Sequence, residues 1–268
     1  MIQKNRIGAG ALISRPDVFP SRAAMLEEGA AGHIQLMMIP LDTDEFQKNI
    51  EIVEPYAGKI RVHAPHHKQN INPCAPGLFL DPKSAGNFIE NAMNQTCEAA
   101  DRTGSDIIVL HAGGYIPGNR EEAIRTFHEF LDLYPDDRYI LESLPILINE
   151  PLFLGVTPDE LRTVGDGRIN GFCADFPHLW CSSITHEIPY EDMLADMDKL
   201  PIRFSHLSGT PGPTLGRQHL LFTDPQNRFN LDLIIPFLMD HPNLEISLEF
   251  PHDDPAIIRS QIEIVSNL

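Results

Sequence analysis

The chain has 268 residues, 42% of them hydrophobic, which is enough for a large buried core and excludes a disordered polymer. Asp and Glu number 38 against 20 Lys and Arg, a formal net charge of -18 that repels polyanions and argues against an extensive nucleic-acid footprint. No stretch approaches the ~20 apolar residues of a membrane helix, and no signal-peptide pattern opens the chain. The four cysteines, Cys74, Cys97, Cys173 and Cys181, lack C-x-x-C spacing, so reduced thiols and a cytoplasmic location are expected.

Strand and helix patterns alternate from one end to the other. A strand is expected at 6–13, a helix at 21–30, a strand at 33–40 and a helix at 43–57. The third strand, 59–64, is followed by a loop over 65–82 and a helix at 83–103, which Gly104 stops. The fourth, 106–112, leads to a helix at 119–134 with Asn119 at its cap, and the fifth, 139–144, to one at 158–165 that opens on Thr157-Pro158. The sixth, 169–175, precedes a helix at 190–199. The seventh, 202–207, precedes a loop over 208–228 and a helix at 229–240. The eighth, 245–250, precedes a helix at 254–266. Eight such units with right-handed crossovers close into a single (β/α)8 TIM barrel spanning 1–268, an eight-stranded parallel barrel with outer helices. Loops as long as 65–82 and 208–228 in a compact barrel are usually functional.

Six consecutive strand patterns stop on a metal-type side chain. They are Ile60-Arg61-Val62-His63, Ile107-Ile108-Val109-Leu110-His111, Tyr139-Ile140-Leu141-Glu142, Gly171-Phe172-Cys173-Ala174-Asp175, Ile202-Arg203-Phe204-Ser205-His206 and Ile246-Ser247-Leu248-Glu249. Parallel barrel strands all end at one rim, where chemistry is assembled from different strands. Three His and three carboxylates converging there form a nitrogen-and-oxygen cage suited to divalent metal. His178, three residues after Asp175, and His219, in the loop after the seventh strand, reach the same cleft.

Val62-His63-Ala64-Pro65, Leu110-His111-Ala112-Gly113-Gly114, Leu141-Glu142-Ser143, Asp175-Phe176-Pro177-His178, Ser205-His206-Leu207 and Leu248-Glu249 together resemble the xylose isomerase-like TIM barrels, most closely the endonuclease IV branch. The resemblance implies zinc at the rim. His63 and His111 would hold a first ion, with Glu142 bridging to a second held also by Asp175, His206 and Glu249; His178 and His219 would hold a third. A hydroxide between two such ions implies phosphoester hydrolysis, with a small-molecule phosphoester or damaged DNA as substrate, the latter disfavoured by the net charge.

Three departures bear on this expectation. Arg217 stands where the branch has an Asp ligand for its third metal, so two ions are expected outright and a third only if His178 and His219 suffice; Arg217 is expected instead to bind a substrate phosphate or carboxylate as a forked donor. Ser208-Gly209 replaces an Asn-Asp pair. His66, followed by His67, stands where the branch carries an aromatic wedge for DNA, and reads as an added ligand, a substrate donor or a solvated loop residue.

The sister branch of sugar isomerases and epimerases needs one metal, Mn2+ or Mg2+, on Glu142, Asp175, His206 and Glu249. There Glu142 and Glu249 would act as the acid/base pair on a sugar or sugar phosphate. A third reading is a barrel that binds metal or ligand without turnover.

Overall fold

The computed structural model describes residues 1–78, 82–148, 152–214 and 218–268. Ten strands and nine α-helices occur among them. In chain order they are β1 (Ile7–Leu12), α1 (Phe19–Glu27), β2 (His33–Met37), α2 (Thr43–Val53), β3 (Ile60–His63), α3 (Pro82–Thr103), β4 (Ile108–Leu110), β5 (Gly114–Tyr115), α4 (Arg120–Leu133) and β6 (Tyr139–Glu142). There follow β7 (Leu152–Phe153), α5 (Pro158–Gly165), β8 (Phe172–Asp175), α6 (Phe176–His186), α7 (Tyr190–Met197), β9 (Ile202–Leu207), α8 (Ile235–Asp240), β10 (Ile246–Leu248) and α9 (Pro255–Ser266). Eight strands close an all-parallel barrel in the order β1-β10-β9-β8-β6-β4-β3-β2, the (β/α)8 architecture expected from the alternating pattern.

Two elements were not expected. Tyr115 and Leu152 pair in a small antiparallel β5–β7 sheet that ties the loop after β4 to the loop after β6. Helix α6 starts where β8 ends, so the segment around His178 is the first helical turn and not a loop. Asp175 caps it, accepting a hydrogen bond from the His178 backbone N–H at 2.8 Å, and Pro177 occupies the first turn, where it gives up no intrahelical bond. The expected helix at 229–240 is split into a 3-10 turn, Leu231–Ile234, and the short α8, because Pro236 brings no N–H to a continuous helical ladder.

The period-two alternation of strands sorts the side chains into two cores. Most aliphatic residues pack outward against the helices. Ile107, Val109, Ile140, Cys173 and Phe204 form a separate, smaller apolar cluster. Val109, Ile140, Cys173 and Phe204 each stand two residues before a rim residue (His111, Glu142, Asp175 and His206), so this cluster is the floor beneath the site. Register then fixes which rim residues are neighbours. Asp175 lies opposite His206 because the β8–β9 pairing skips Arg203, an irregularity between Phe172 and Cys173 that shifts the pairs beyond it into line.

Candidate metal centre

Glu142 is the hub. It is 1% exposed, and four imidazoles from separate parts of the rim surround it. His63 Nε2 lies 3.2 Å and His111 Nε2 3.0 Å from Oε2, His206 Nδ1 lies 3.2 Å from the same oxygen, and His178 Nδ1 lies 3.4 Å from Oε1. Asp175 Oδ2 is 3.2 Å from His178 Nδ1, and Glu249 Oε1 is 3.4 Å from His206 Nδ1. His219, in a left-handed backbone conformation with φ 57°, places Nδ1 3.4 Å from Glu249 Oε2. His63, His111, Glu142, Asp175, His178, His206, His219 and Glu249 therefore gather at one mouth. Arg217 lies outside the described residues.

The donor set fits a cation. His63 Nδ1 lies 2.6 Å from the Ala64 carbonyl, which can only accept, so Nδ1 carries the proton. Its Nε2 then turns a lone pair toward the carboxylate oxygen of Glu142 unless the ring is charged. Two acceptors 3.2 Å apart in a buried site repel, and a cation between them removes the conflict. His206 Nδ1, His111 Nδ1, His219 Nδ1 and Glu249 Oε1 are likewise buried without a hydrogen-bond partner among the described residues. One ligand atom from each member of Glu142, Asp175, His206 and Glu249 falls within 4.8 Å of the others, and the same holds for His63, Glu142 and His206 and for His66, His67 and His111.

Charge follows the packing. Burial works against ionising Glu142, but His111 and His206 outweigh it and hold the carboxyl well below its usual range. Asp175 goes the other way: burial, with repulsion from Glu142 and Glu249, pushes it up to about 7 despite His178. His206 is raised well above its usual value, because Cys173, Glu249 and Glu142 together overcome its burial. Burial lowers His219 to about 4 although Glu249 opposes it. Burial and the neighbouring imidazole of His111 bring His67 to about 3, and His66 is lowered well below its usual value for the same reasons.

Two residues escaped the sequence reading. Gln35 on β2 is fully buried, and its amide nitrogen lies 2.6 Å from His206 Nε2, leaving Gln35 Oε1 without a partner among the described residues. A half-turn of the amide would bring Oε1 to accept from Nε2–H, holding the His206 ring with Nδ1 toward Glu142 and Glu249. The available signal was a polar side chain alternating with Ile34 and Leu36 in a buried strand. His33, two residues earlier on the same strand, is buried with both ring nitrogens unpartnered among the described residues.

His66 is no wedge. It caps a 3-10 turn, His67–Gln69, and its ring stacks on His111 with centroids 4.7 Å apart. Gly113-Gly114, beyond His111, forms a packed turn: Gly113 has φ 104°, and a Cβ there would lie 2.0 Å from Asn72 Oδ1, which accepts from the Gly114 N–H at 2.8 Å. A groove of about 510 Å³ lies along the β5–β7 sheet, lined by residues such as Tyr115, Arg120, Phe153 and Glu160 and not by the metal-type side chains of the mouth.

No family model matches this chain, and no curated protein matches it. Solved structures do. A zinc chloride-soaked protein from Thermus thermophilus superposes with a TM-score of 0.62 at 17% identity, covering 98% of each chain. Endonuclease IV from Thermus thermophilus gives 0.61 at 16% identity over 98% of this chain and 100% of the other. A xylose isomerase domain-containing protein from Salmonella typhimurium gives 0.66 at 13% identity over 100% and 98%. The chain thus has the TIM-barrel fold shared by endonuclease IV and the xylose isomerase-like proteins, with clusters of metal-type residues at its mouth. Among the described residues no helix is long and apolar enough to cross a membrane.

Proposed function

We propose that this barrel is a divalent-metal-dependent enzyme hydrolysing phosphoester bonds, with zinc as its metal and a small-molecule phosphoester as its substrate. One observation carries the reading: buried Glu142 has imidazole nitrogens of His63, His111, His206 and His178 within 3.4 Å, so a single carboxylate is in reach of members of both proposed ligand groups. His63 and His111 would stand on one side; Asp175, His206 and Glu249 on the other. His178 and His219 would complete the outer edge, and Arg217 would bind an anionic substrate. Paired divalent ions supply a nucleophilic water near neutral pH and charge to balance that developing on phosphorus and the leaving oxygen. The chain's own part is to hold the ligands rigid on strand ends over the apolar floor, to keep Glu142 ionised through its imidazoles, and to fix the His63 proton on Nδ1. The position of His66 stacked against His111, where the related branch carries an aromatic wedge, favours a small substrate over a DNA duplex.

The test is metal analysis and turnover of bis(p-nitrophenyl) phosphate by the wild type and by Glu142→Gln. The reading expects at least two zinc ions per chain in the wild type, loss of one or more in the variant, and a rate reduced by about 10³-fold or more, the scale of losing charge stabilisation at the reacting centre. A wild type that hydrolyses no phosphoester, or a variant with unchanged metal and rate, refutes it.

A second reading rests on the other complete group. Glu142, Asp175, His206 and Glu249 suffice as a four-ligand site for one Mn2+ or Mg2+. Glu142 and Glu249 would then move a proton on a sugar or sugar phosphate. Exchange of solvent deuterium into an aldose or ketose, lost in Glu249→Gln, distinguishes this isomerase or epimerase from the hydrolase.

A further inference from the structure

We propose that His66, His67 and His111 form a separate all-nitrogen metal site beside the carboxylate cluster, selective for zinc-like transition ions over Mg2+ or Ca2+. The three rings are mutual neighbours. Their centroids stand 4.7 Å apart for His66 and His111, 5.0 Å for His66 and His67, and 6.4 Å for His67 and His111. One nitrogen from each ring falls within 4.8 Å of the other two. His111 is 7% exposed and its Nδ1 has no partner among the described residues; His67 Nδ1 is buried and unpartnered as well. Desolvated nitrogens left without donors in this way are costly, and a shared cation satisfies them together.

The backbone has been shaped to bring these rings in. The 3-10 turn after β3 is closed by Gln69, whose side chain accepts from the His66 N–H at 3.0 Å, and by Asn70 in a left-handed conformation with φ 62°. Phe153, from the β5–β7 sheet, packs on His67 with centroids 4.9 Å apart and limits its rotation. The one competing bond is weak: His66 Nδ1 accepts from the Lys68 N–H at 3.4 Å, so moving the ring proton to Nδ1 and freeing Nε2 for an ion sacrifices little. No carboxylate belongs to this trio, and imidazole-only sites favour Zn2+, Co2+, Ni2+ or Cu2+ over the oxygen-seeking ions. Three protein ligands also leave a coordination position open to a substrate oxygen, as in catalytic zinc sites.

The site shares His111 with the proposed hydrolase centre: with both filled, the ring would bridge them as an imidazolate, Nε2 toward Glu142 and Nδ1 toward the histidine pair, its N–H proton released to solvent. The trio does not depend on that centre's chemistry, and a comparison of variants separates the two. Protein stripped with a chelator and titrated with Co2+ is followed by visible absorption and equilibrium dialysis, alongside the double variant His66→Ala/His67→Ala and the double variant Asp175→Asn/Glu249→Gln. The histidine pair is expected to bind one ion fewer per chain than the wild type. The carboxylate pair is expected to keep that ion, and excess Mg2+ to leave it in place. If the double histidine variant does not fold, His66→Gln and His67→Gln singly are each expected to weaken one Co2+ site about tenfold or more with an unchanged far-UV spectrum. Equal stoichiometry and affinity in the wild type and the histidine variants, or no Co2+ bound by the wild type, overturns the site. Loss confined to the histidine variants leaves it standing even where the hydrolase reading fails.

Discussion

Removing His33 is expected to make the protein more tolerant of acid. The ring is fully buried on β2, edge-on to Phe204 with centroids 5.3 Å apart, and so tightly enclosed that a Cβ on Gly8 would lie 2.3 Å from it. Burial, reinforced by the positive charges of Arg61, His206 and Lys59, lowers its pKa from 6.5 to about 3. A folded-state value below the unfolded one means that the unfolded chain takes up the proton first. The stability this group preserves is therefore complete above pH 6.5 and is lost as the pH falls from there toward 3. At pH 5 the imbalance amounts to about 2 kcal/mol, from about 1.4 kcal/mol per pH unit over the interval below the unfolded value. Urea unfolding followed by circular dichroism at pH 7.5 and pH 5.0, with chelator present, measures it in the wild type and in His33→Leu. The wild type should lose about 2 kcal/mol more than the variant between the two conditions. His66, His67, His111 and His219 are also lowered, but they contribute to both proteins alike and cancel in the difference. Equal losses in the two proteins would mean that His33 is not held neutral by burial, and the reasoning would fail.

Two further perturbations test other parts of the structure. Arg22, 2% exposed, donates to the carbonyls of Gly10, His252 and Asp253 at 3.2, 2.8 and 3.3 Å and so ties the end of β1 to the segment beyond Glu249. Arg22→Met leaves those acceptors unpaired and should cost about 2–4 kcal/mol in urea unfolding at neutral pH, whereas a loss under about 0.5 kcal/mol would show the carbonyls to be otherwise satisfied. Asp175 keeps its proton up to about pH 7 in the metal-free protein, so an ion must displace it. His206, raised well above its usual value, must give up a proton too, so zinc affinity should fall by about tenfold or more per pH unit as the pH drops from 8 to 6, and the calorimetric enthalpy should vary with the ionisation enthalpy of the buffer; a pH-independent affinity contradicts the shifts.

The barrel was legible because parallel strands buried on both faces carry an unmistakable apolar run, and because the alternation of strand and helix patterns admits one closure. Eight strands were found within a few residues of their limits, and the six that end on metal-type side chains bring them to the mouth. Short-range signals were read less well. Helix α6 was missed because Phe176, Leu179 and Cys181 bury several sides of it, so no polar face advertises the helical period. The β5–β7 sheet, Gly114–Tyr115 with Leu152–Phe153, is too short to stand out from a loop.

The sequence by itself determined which side chains reach one rim, since period-two alternation and strand ends are local properties of the backbone. It also singled out the residue types involved, since imidazoles and carboxylates buried together are the donor set that a cation would need. How those side chains cluster was decided by the tertiary structure alone. The grouping of His111 with His66 and His67, the central place of Glu142, the alignment of Asp175 with His206 across an irregular pairing, and the contact of Gln35 with His206 all join residues far apart in the chain. Such distances are set by barrel stagger and strand register, which depend on the packing of the whole closed sheet and not on any segment of it.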